Sequence, residues 1–167
     1  SMKGIRVLRF EFPYMALRRE GLGKRPPNVQ KLLLSSWKTV IEAARQVHQG
    51  KVYIGGKSMG GRMASMIADD SGVDGIVCLG YPFYAPGKLE KPRIEHLESL
   101  KTPTLILQGE RDSMGSRDVV LGYSLSDKIN IYWLPDGDHG LKPRQKSGHT
   151  EQENLDLALR RIVKFLS

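Results

Sequence analysis

The run Tyr53-Ile54-Gly55-Gly56-Lys57-Ser58-Met59-Gly60-Gly61-Arg62 sets a Gly-x-Ser-x-Gly pentapeptide at the end of a short apolar strand pattern and the start of a helical one. That context separates a nucleophile elbow from a chance match, because a serine on a sharp strand-to-helix turn is forced outward from the sheet. The turn is tight, so Gly56 and Gly60 are expected to lack side chains where the backbone and the neighbouring helix come close. The helix that follows aims its first N–H groups at the serine oxygen and favours negative charge developing there. Gly-rich strand–helix junctions also serve as phosphate cradles. Here Ser58 is centred between glycines and the Walker spacing of a phosphate loop is absent, which favours the nucleophile.

Outward from this stretch, five apolar, β-branched runs recur: Ile5-Arg6-Val7-Leu8-Arg9-Phe10, Val52-Tyr53-Ile54, residues 75–79, Thr104-Leu105-Ile106-Leu107 and Ile129-Asn130-Ile131-Tyr132-Trp133-Leu134. Helical spacing lies between them. Residues 29–47 place Leu33, Trp37, Val40, Ile41, Ala44 and Val47 at helical intervals, 60–68 follow the elbow, and 119–125 precede the last strand. A closing helix carries Leu155, Leu159, Ile162, Val163 and Leu166 on one face, with a capping box in Thr150-Glu151-Gln152-Glu153. Loops are marked at 21–27, which is basic and Pro-rich, and at 81–92 and 135–148. Alternating strands and helices imply right-handed crossovers and a mostly parallel α/β sheet flanked by helices. A chain of 167 residues with 40% hydrophobic content fits one domain over 1–167.

Composition narrows the function classes. No apolar run is long enough to span a bilayer, and the N-terminus lacks the basic-then-apolar design of a secretory signal, so a soluble protein is expected. The single cysteine, Cys78, lies in an apolar run; it reads as a buried packing residue and suits a reducing cytoplasm. A net charge of +8 invites a nucleic-acid hypothesis, with basic clusters at Arg18-Arg19, Lys24-Arg25, 142–146 and Arg160-Arg161. These clusters are scattered, lack interleaved aromatics and match no nucleic-acid-binding signature, which favours a solvated basic surface and no specific nucleic-acid partner. Nor is there a His-x-x-x-His or Cys-x-x-Cys spacing. No metal or cofactor is expected, and Asp136, Asp138 and His139 read as a turn that carries a base.

A nucleophilic serine needs a base to take its proton and an acid to hold that base's imidazole in the right tautomer. Gln108-Gly109-Glu110-Arg111-Asp112 follows the fourth strand and Asp136-Gly137-Asp138-His139-Gly140 the fifth, giving the chain order Ser58, Asp112, His139. Functional groups of a parallel sheet gather at the carboxyl ends of its strands, where all three fall. Glu110 and Asp118 are alternatives for the acid. Asp138 ranks below them because adjacent side chains diverge. His48, His96 and His149 are weaker bases: His48 ends a helix, His96 lies in a charged helix-like stretch, and His149 sits beside the capping box.

Beyond these residues, Arg9-Phe10-Glu11-Phe12-Pro13-Tyr14-Met15, Gly80-Tyr81-Pro82-Phe83, Pro86-Gly87-Lys88 and residues 93–97 complete a set of motifs. With these the chain resembles the dienelactone-hydrolase-like branch of the α/β-hydrolases, and within it the small proteins grouped with a testis-expressed hydrolase-like protein and a scaffold subunit of a histone-acetyltransferase complex. The resemblance covers nearly the whole chain. It implies an α/β-hydrolase fold with Ser58 as nucleophile, Asp112 as acid, His139 as base and the Met59 N–H as an oxyanion donor. Members ordinarily carry an upstream strand and a His-Gly-rich loop that supplies the second donor. This chain begins after that point, Ser1-Met2 reads as a cloning scar, and the expected domain is N-terminally truncated. The missing strand belongs between the first strand here and the one leading to Ser58. Either an upstream segment fills that slot or the chain forms homo-oligomers through the incomplete sheet.

The segment 81–101 is short and Pro-rich, so no large cap can be built from it. An open, shallow cleft is expected, bordered by Tyr14, Met15, Tyr81, Phe83, Tyr84 and Met114, although those aromatics equally suit covering the sheet edge. Lys57, Lys88, Arg111 and Lys142 are expected at its rim, where a carboxylate or phosphate on a small acyl substrate could be met. The expected function is a serine hydrolase of small carboxylic esters, thioesters or related acyl compounds. The alternative is a non-catalytic interaction module on the same fold.

Overall fold

The computed structural model describes residues 4–21, 23 and 26–167. Ser1-Met2 and the basic pair Lys24-Arg25 lie outside the described residues. A four-stranded sheet, β1 (Tyr53–Lys57), β2 (Gly75–Leu79), β3 (Thr104–Gly109) and β4 (Ile129–Leu134), is parallel throughout and runs in sequence order. Among the described residues five α-helices accompany it: α1 (Pro13–Arg19), α2 (Gln30–Val47), α3 (Met59–Ser71), α4 (Arg117–Val120) and α5 (Glu151–Leu166). Among the described residues no helix is long and apolar enough to cross a membrane.

The two-residue alternation of the strands divides the core between the faces of the sheet. On one face Ile54, Ile76, Cys78 and Ile106 meet Met63, Ala64 and Ile67 of α3, with Trp37 and Ile41 of α2 beneath. On the other, Leu105, Leu107 and Leu134 meet Leu141 and Ala158 of α5. The capping box at α5 forms as its sequence requires: Thr150 Oγ1 accepts from the Glu153 N–H, and the Glu153 carboxylate accepts from the Thr150 N–H. Cys78 is fully buried, and burial pushes its thiol up to about 12, so it packs and does not react.

Three elements differ from the sequence expectation. Residues 5–10 form no strand: Val7 and Leu8 are exposed, and Phe10 packs edge-on against Trp37 at 4.7 Å. An alternating run becomes a strand only where a neighbouring ladder satisfies its backbone, and among the described residues β1 is an edge strand with no neighbour on its outer side. A helix, α1, appears instead just after this run. Pro13 begins it, where a missing N–H costs nothing, and the next N–H, from Tyr14, bonds to Asn28 Oδ1 at 2.9 Å. The helix expected over 119–125 is shorter and earlier, because past Val120 the chain tightens into three-residue turns through Gly122 and Tyr123.

The glycines of the elbow also divide differently. A methyl group on Gly56 would stand 2.9 Å from the Gly60 carbonyl carbon, and one on Gly61 would stand 2.7 Å from the Gly56 carbonyl oxygen and 3.0 Å from Cys78 Sγ. Around Gly60 there is open space, so the close approach of α3 to the sheet rests on Gly56 and Gly61, not on Gly60. Urea unfolding should therefore separate two neighbouring substitutions. Gly61→Ala is expected to lose about 1–3 kcal/mol to overpacking, whereas Gly60→Ala should hold its stability or gain up to about 1 kcal/mol from helix propensity. Equal losses at both positions would refute this account of the crossing.

Candidate active site

Ser58 stands between β1 and α3 with φ 51° and ψ −118°. A non-glycine residue in that region costs about 1–3 kcal/mol and persists only where its surroundings hold it. Here the Ser58 N–H donates to the Leu79 carbonyl at 2.9 Å and the Ser58 carbonyl accepts from the Arg62 N–H at 3.1 Å, so the strand and the helix grip the residue from both sides. Met59 opens α3, and its N–H is among the donors that an α-helix leaves without an internal partner.

Asp112 follows β3 and has no exposed surface. Its Oδ1 accepts from the Met114 N–H at 2.8 Å and its Oδ2 from Gln108 Nε2 at 2.8 Å. His139 Nδ1 lies 2.8 Å from Oδ2 and 3.0 Å from Oδ1, and His139 Nε2 lies 2.8 Å from Ser58 Oγ. A carboxylate can only accept, so its contact with Nδ1 calls for the proton there and leaves Nε2 as the acceptor for the serine hydroxyl. The turn holding His139 is fixed from several directions. Asp138 Oδ1 accepts from the Gly140 and Lys142 N–H groups, and Asn154 of α5 donates to the Pro135 and Leu141 carbonyls. Gly80 passes beneath: its φ is 62°, and a methyl group there would stand 2.7 Å from the His139 carbonyl oxygen.

The other acids and histidines lie apart from Ser58, engaged elsewhere or exposed. Glu110 pairs with Arg117 at 2.8 Å and accepts from the Asp136 N–H, Asp118 is exposed on α4, and Asp138 shapes its own turn. Asp136 binds Arg144, whose hydrogen bond is the chief reason its carboxyl is held down to about 2. His48 caps α2 and is exposed, as is His149. His96 is drawn inward, with Nε2 at 2.9 Å from Ser65 Oγ and 3.2 Å from the Tyr81 hydroxyl. Among the described residues no group of side chains is arranged to hold a metal.

Beside Ser58 opens a cleft of about 340 Å³, lined by Met59, Arg62, Met63, Pro82, Arg93 and Met114 and reached by Asn28, Gln30 and Leu33. Met114 is among the lining residues. Tyr14, Tyr81, Phe83 and Tyr84 are not: all four are buried in the core. The expected basic rim is also displaced. Arg111 binds Asp136, Lys142 pairs with Glu151, and Lys57 and Lys88 are exposed, while Arg62 and Arg93 take their place in the cleft. Sequence reasoning missed both arginines and Gln108. The signal available for Gln108 was a polar residue ending a strand with otherwise buried apolar side chains.

The family described as "Alpha/beta hydrolase domain" matches residues 1–167 of the chain. Solved structures are similar at the level of fold. An α/β serine hydrolase homologue from Coxiella burnetii aligns with a TM-score of 0.64 at 17% identity, over 88% of this chain and 65% of that one. An α/β serine hydrolase without a lid from Xanthomonas campestris gives 0.60 at 15%, over 83% and 60%, and an esterase from Pyrococcus furiosus gives 0.61 at 14%, over 81% and 60%. The chain spans less than two thirds of the length of each of these proteins.

The buried setting of His96 has a consequence for stability. Burial, and after it the charge of Arg62, lowers this imidazole from 6.5 to about 4. Its neutral form is therefore favoured by folding, the contribution is complete above pH 6.5, and it is lost as the pH falls from 6.5 toward 4. In urea titrations across this window, the stability advantage of the natural chain over His96→Gln should shrink as the medium is acidified. Parallel pH profiles for the two proteins would contradict this.

Proposed function

The chain belongs to the α/β-hydrolase domain family, and from that premise we propose that it is a serine hydrolase acting on small carboxylic esters, thioesters or related acyl compounds. The observation that carries this reading is the continuous line of hydrogen-bonding atoms from Ser58 Oγ through His139 to the buried Asp112 carboxylate. Ser58 Oγ attacks the acyl carbon while His139 Nε2 takes its proton, and Asp112 stabilises the imidazolium so formed. Negative charge moves to the carbonyl oxygen, where the Met59 N–H and the N-terminal dipole of α3 receive it. Collapse of this intermediate expels the alcohol or thiol, which leaves with the proton from His139. Water, deprotonated by the same nitrogen, then releases the acid and restores the serine.

The short connection after β2 supports small substrates: it contains a single 3₁₀ turn, Glu95–Leu97, and builds no cap over Ser58. The motifs that resemble the dienelactone-hydrolase-like branch agree with a compact substrate.

A fluorophosphonate probe tests the nucleophile. Intact-mass measurement should show one adduct on the natural chain and none on Ser58→Ala, and Asp112→Asn should lower turnover of p-nitrophenyl acetate by about 10⁴ with the fold retained. An adduct that survives Ser58→Ala removes the nucleophile from this position. Undiminished turnover in Asp112→Asn removes the acid.

A further inference from the structure

The cleft beside Ser58 is unusual in its charge. Arg62 and Arg93 both line it, and among the described residues neither forms an ion pair. The carboxylates of the surrounding loops are already committed, Asp112 to His139, Glu110 to Arg117 and Asp136 to Arg144. Arg62 is half-buried, and its Nε has no exposed surface and no hydrogen-bond partner. Burial opposes its charge, an effect that Tyr81 offsets in part, and Arg93 adds like-charge repulsion. A chain gains nothing in stability by holding two guanidinium groups together out of full contact with water. An anion between them would relieve both costs, since a guanidinium binds a carboxylate or phosphate with paired, charge-assisted hydrogen bonds.

Position specifies which part of a substrate the anion occupies. Arg62 lies one turn along α3 from Ser58, about 6 Å by helix rise. The Arg93 N–H donates to the Phe83 carbonyl at 2.6 Å, which folds the loop after β2 back on itself, and Arg93 lines the same cleft as Arg62. His139 does not line the cleft. The leaving group must lie near His139 Nε2 to receive its proton, so the acyl part is the part that enters the cleft with the arginines.

We infer that Arg62 and Arg93 form an oxyanion-recognition site for the far end of the acyl group, so that the preferred substrate is an ester or thioester of a short dicarboxylic acid. This rests on the hydrolase reading above and adds the substrate class. The two arginines bind and orient the substrate; the chemistry stays with Ser58, His139 and Asp112.

The test compares mono-p-nitrophenyl adipate with p-nitrophenyl hexanoate, which have the same acyl length with and without the terminal carboxylate. The ratio of their kcat/KM values should favour the charged ester by about ten- to a hundredfold, the range of one or two charge-assisted hydrogen bonds. Arg93→Gln and Arg62→Gln should each bring that ratio down about tenfold, chiefly through KM, and Arg62→Lys should retain part of it. A ratio near one, unchanged by Arg93→Gln, with both esters hydrolysed, would overturn the anion site and leave the hydrolase intact. Calorimetry on Ser58→Ala separates the two claims further. Adipate binding that disappears when Arg93→Gln is added supports the site even if no ester is turned over, in which case the hydrolase reading is what fails. Absence of adipate binding overturns the site, and butyl phosphate binding tenfold or more tightly than adipate overturns the carboxylate in favour of a phosphate.

Discussion

A carboxylate with no exposed surface must be compensated where it sits, and the carboxyl edge of this sheet is organised by that demand. Asp112 receives hydrogen bonds from the Met114 N–H in its own loop, from Gln108 at the end of β3 and from His139 in the turn beyond β4. Gln108 extends the network: its Oε1 accepts from the Tyr81 N–H, and its amide nitrogen also faces the Tyr81 and Gly115 carbonyls. Loops from three strands are thereby tied to one buried side chain. Loss of any member strands the others, at about 1–3 kcal/mol for each buried group left unpaired. The imidazole that reaches Ser58 is oriented by this network, while Asp138 and Asn154 fix the turn that carries it.

The opposite side of the site depends on closeness and not on polarity. Ser58 keeps its left-handed conformation because α3 is packed against β1 with glycines at Gly56 and Gly61, and Gly80 leaves room for the backbone of the His139 turn. A methyl group at any of these places separates the elements that must meet. Strain at one residue and missing side chains at three others are two aspects of the same geometry, in which a serine from β1 and a histidine from the far edge of the sheet approach to 2.8 Å.

Charge is distributed with the same division between surface and site. Most of the excess basic residues are solvated, and the ion pairs they make, such as Lys142 with Glu151 and Arg117 with Glu110, are exposed and individually worth about 1 kcal/mol or less. Arg62 and Arg93 differ in lining the cleft, without carboxylate partners among the described residues. The net charge of +8 therefore says little about partners.

Local pattern was enough to locate the four paired strands, α2, α3, the capping box of α5 and the elbow at Ser58, because each is written in neighbouring residues: alternation, helical spacing, Thr150 with Glu153, and glycines about a serine. Chain order and strand ends were also enough to bring Asp112 and His139 to the same edge. The run at 5–10 looked like a strand by the same rules and is not one, since a strand also requires a partner and pairing is not a property of the segment. Tyr14, Tyr81 and Phe83 read as cleft residues or as covering, and only packing decided for the core. Arg62 and Arg93 had no local signature, and Gln108 had only that of a polar residue near the end of an apolar strand. Their parts follow from which atoms lie across from them, and that is settled when loops distant in sequence fold over one another and water is removed from between them.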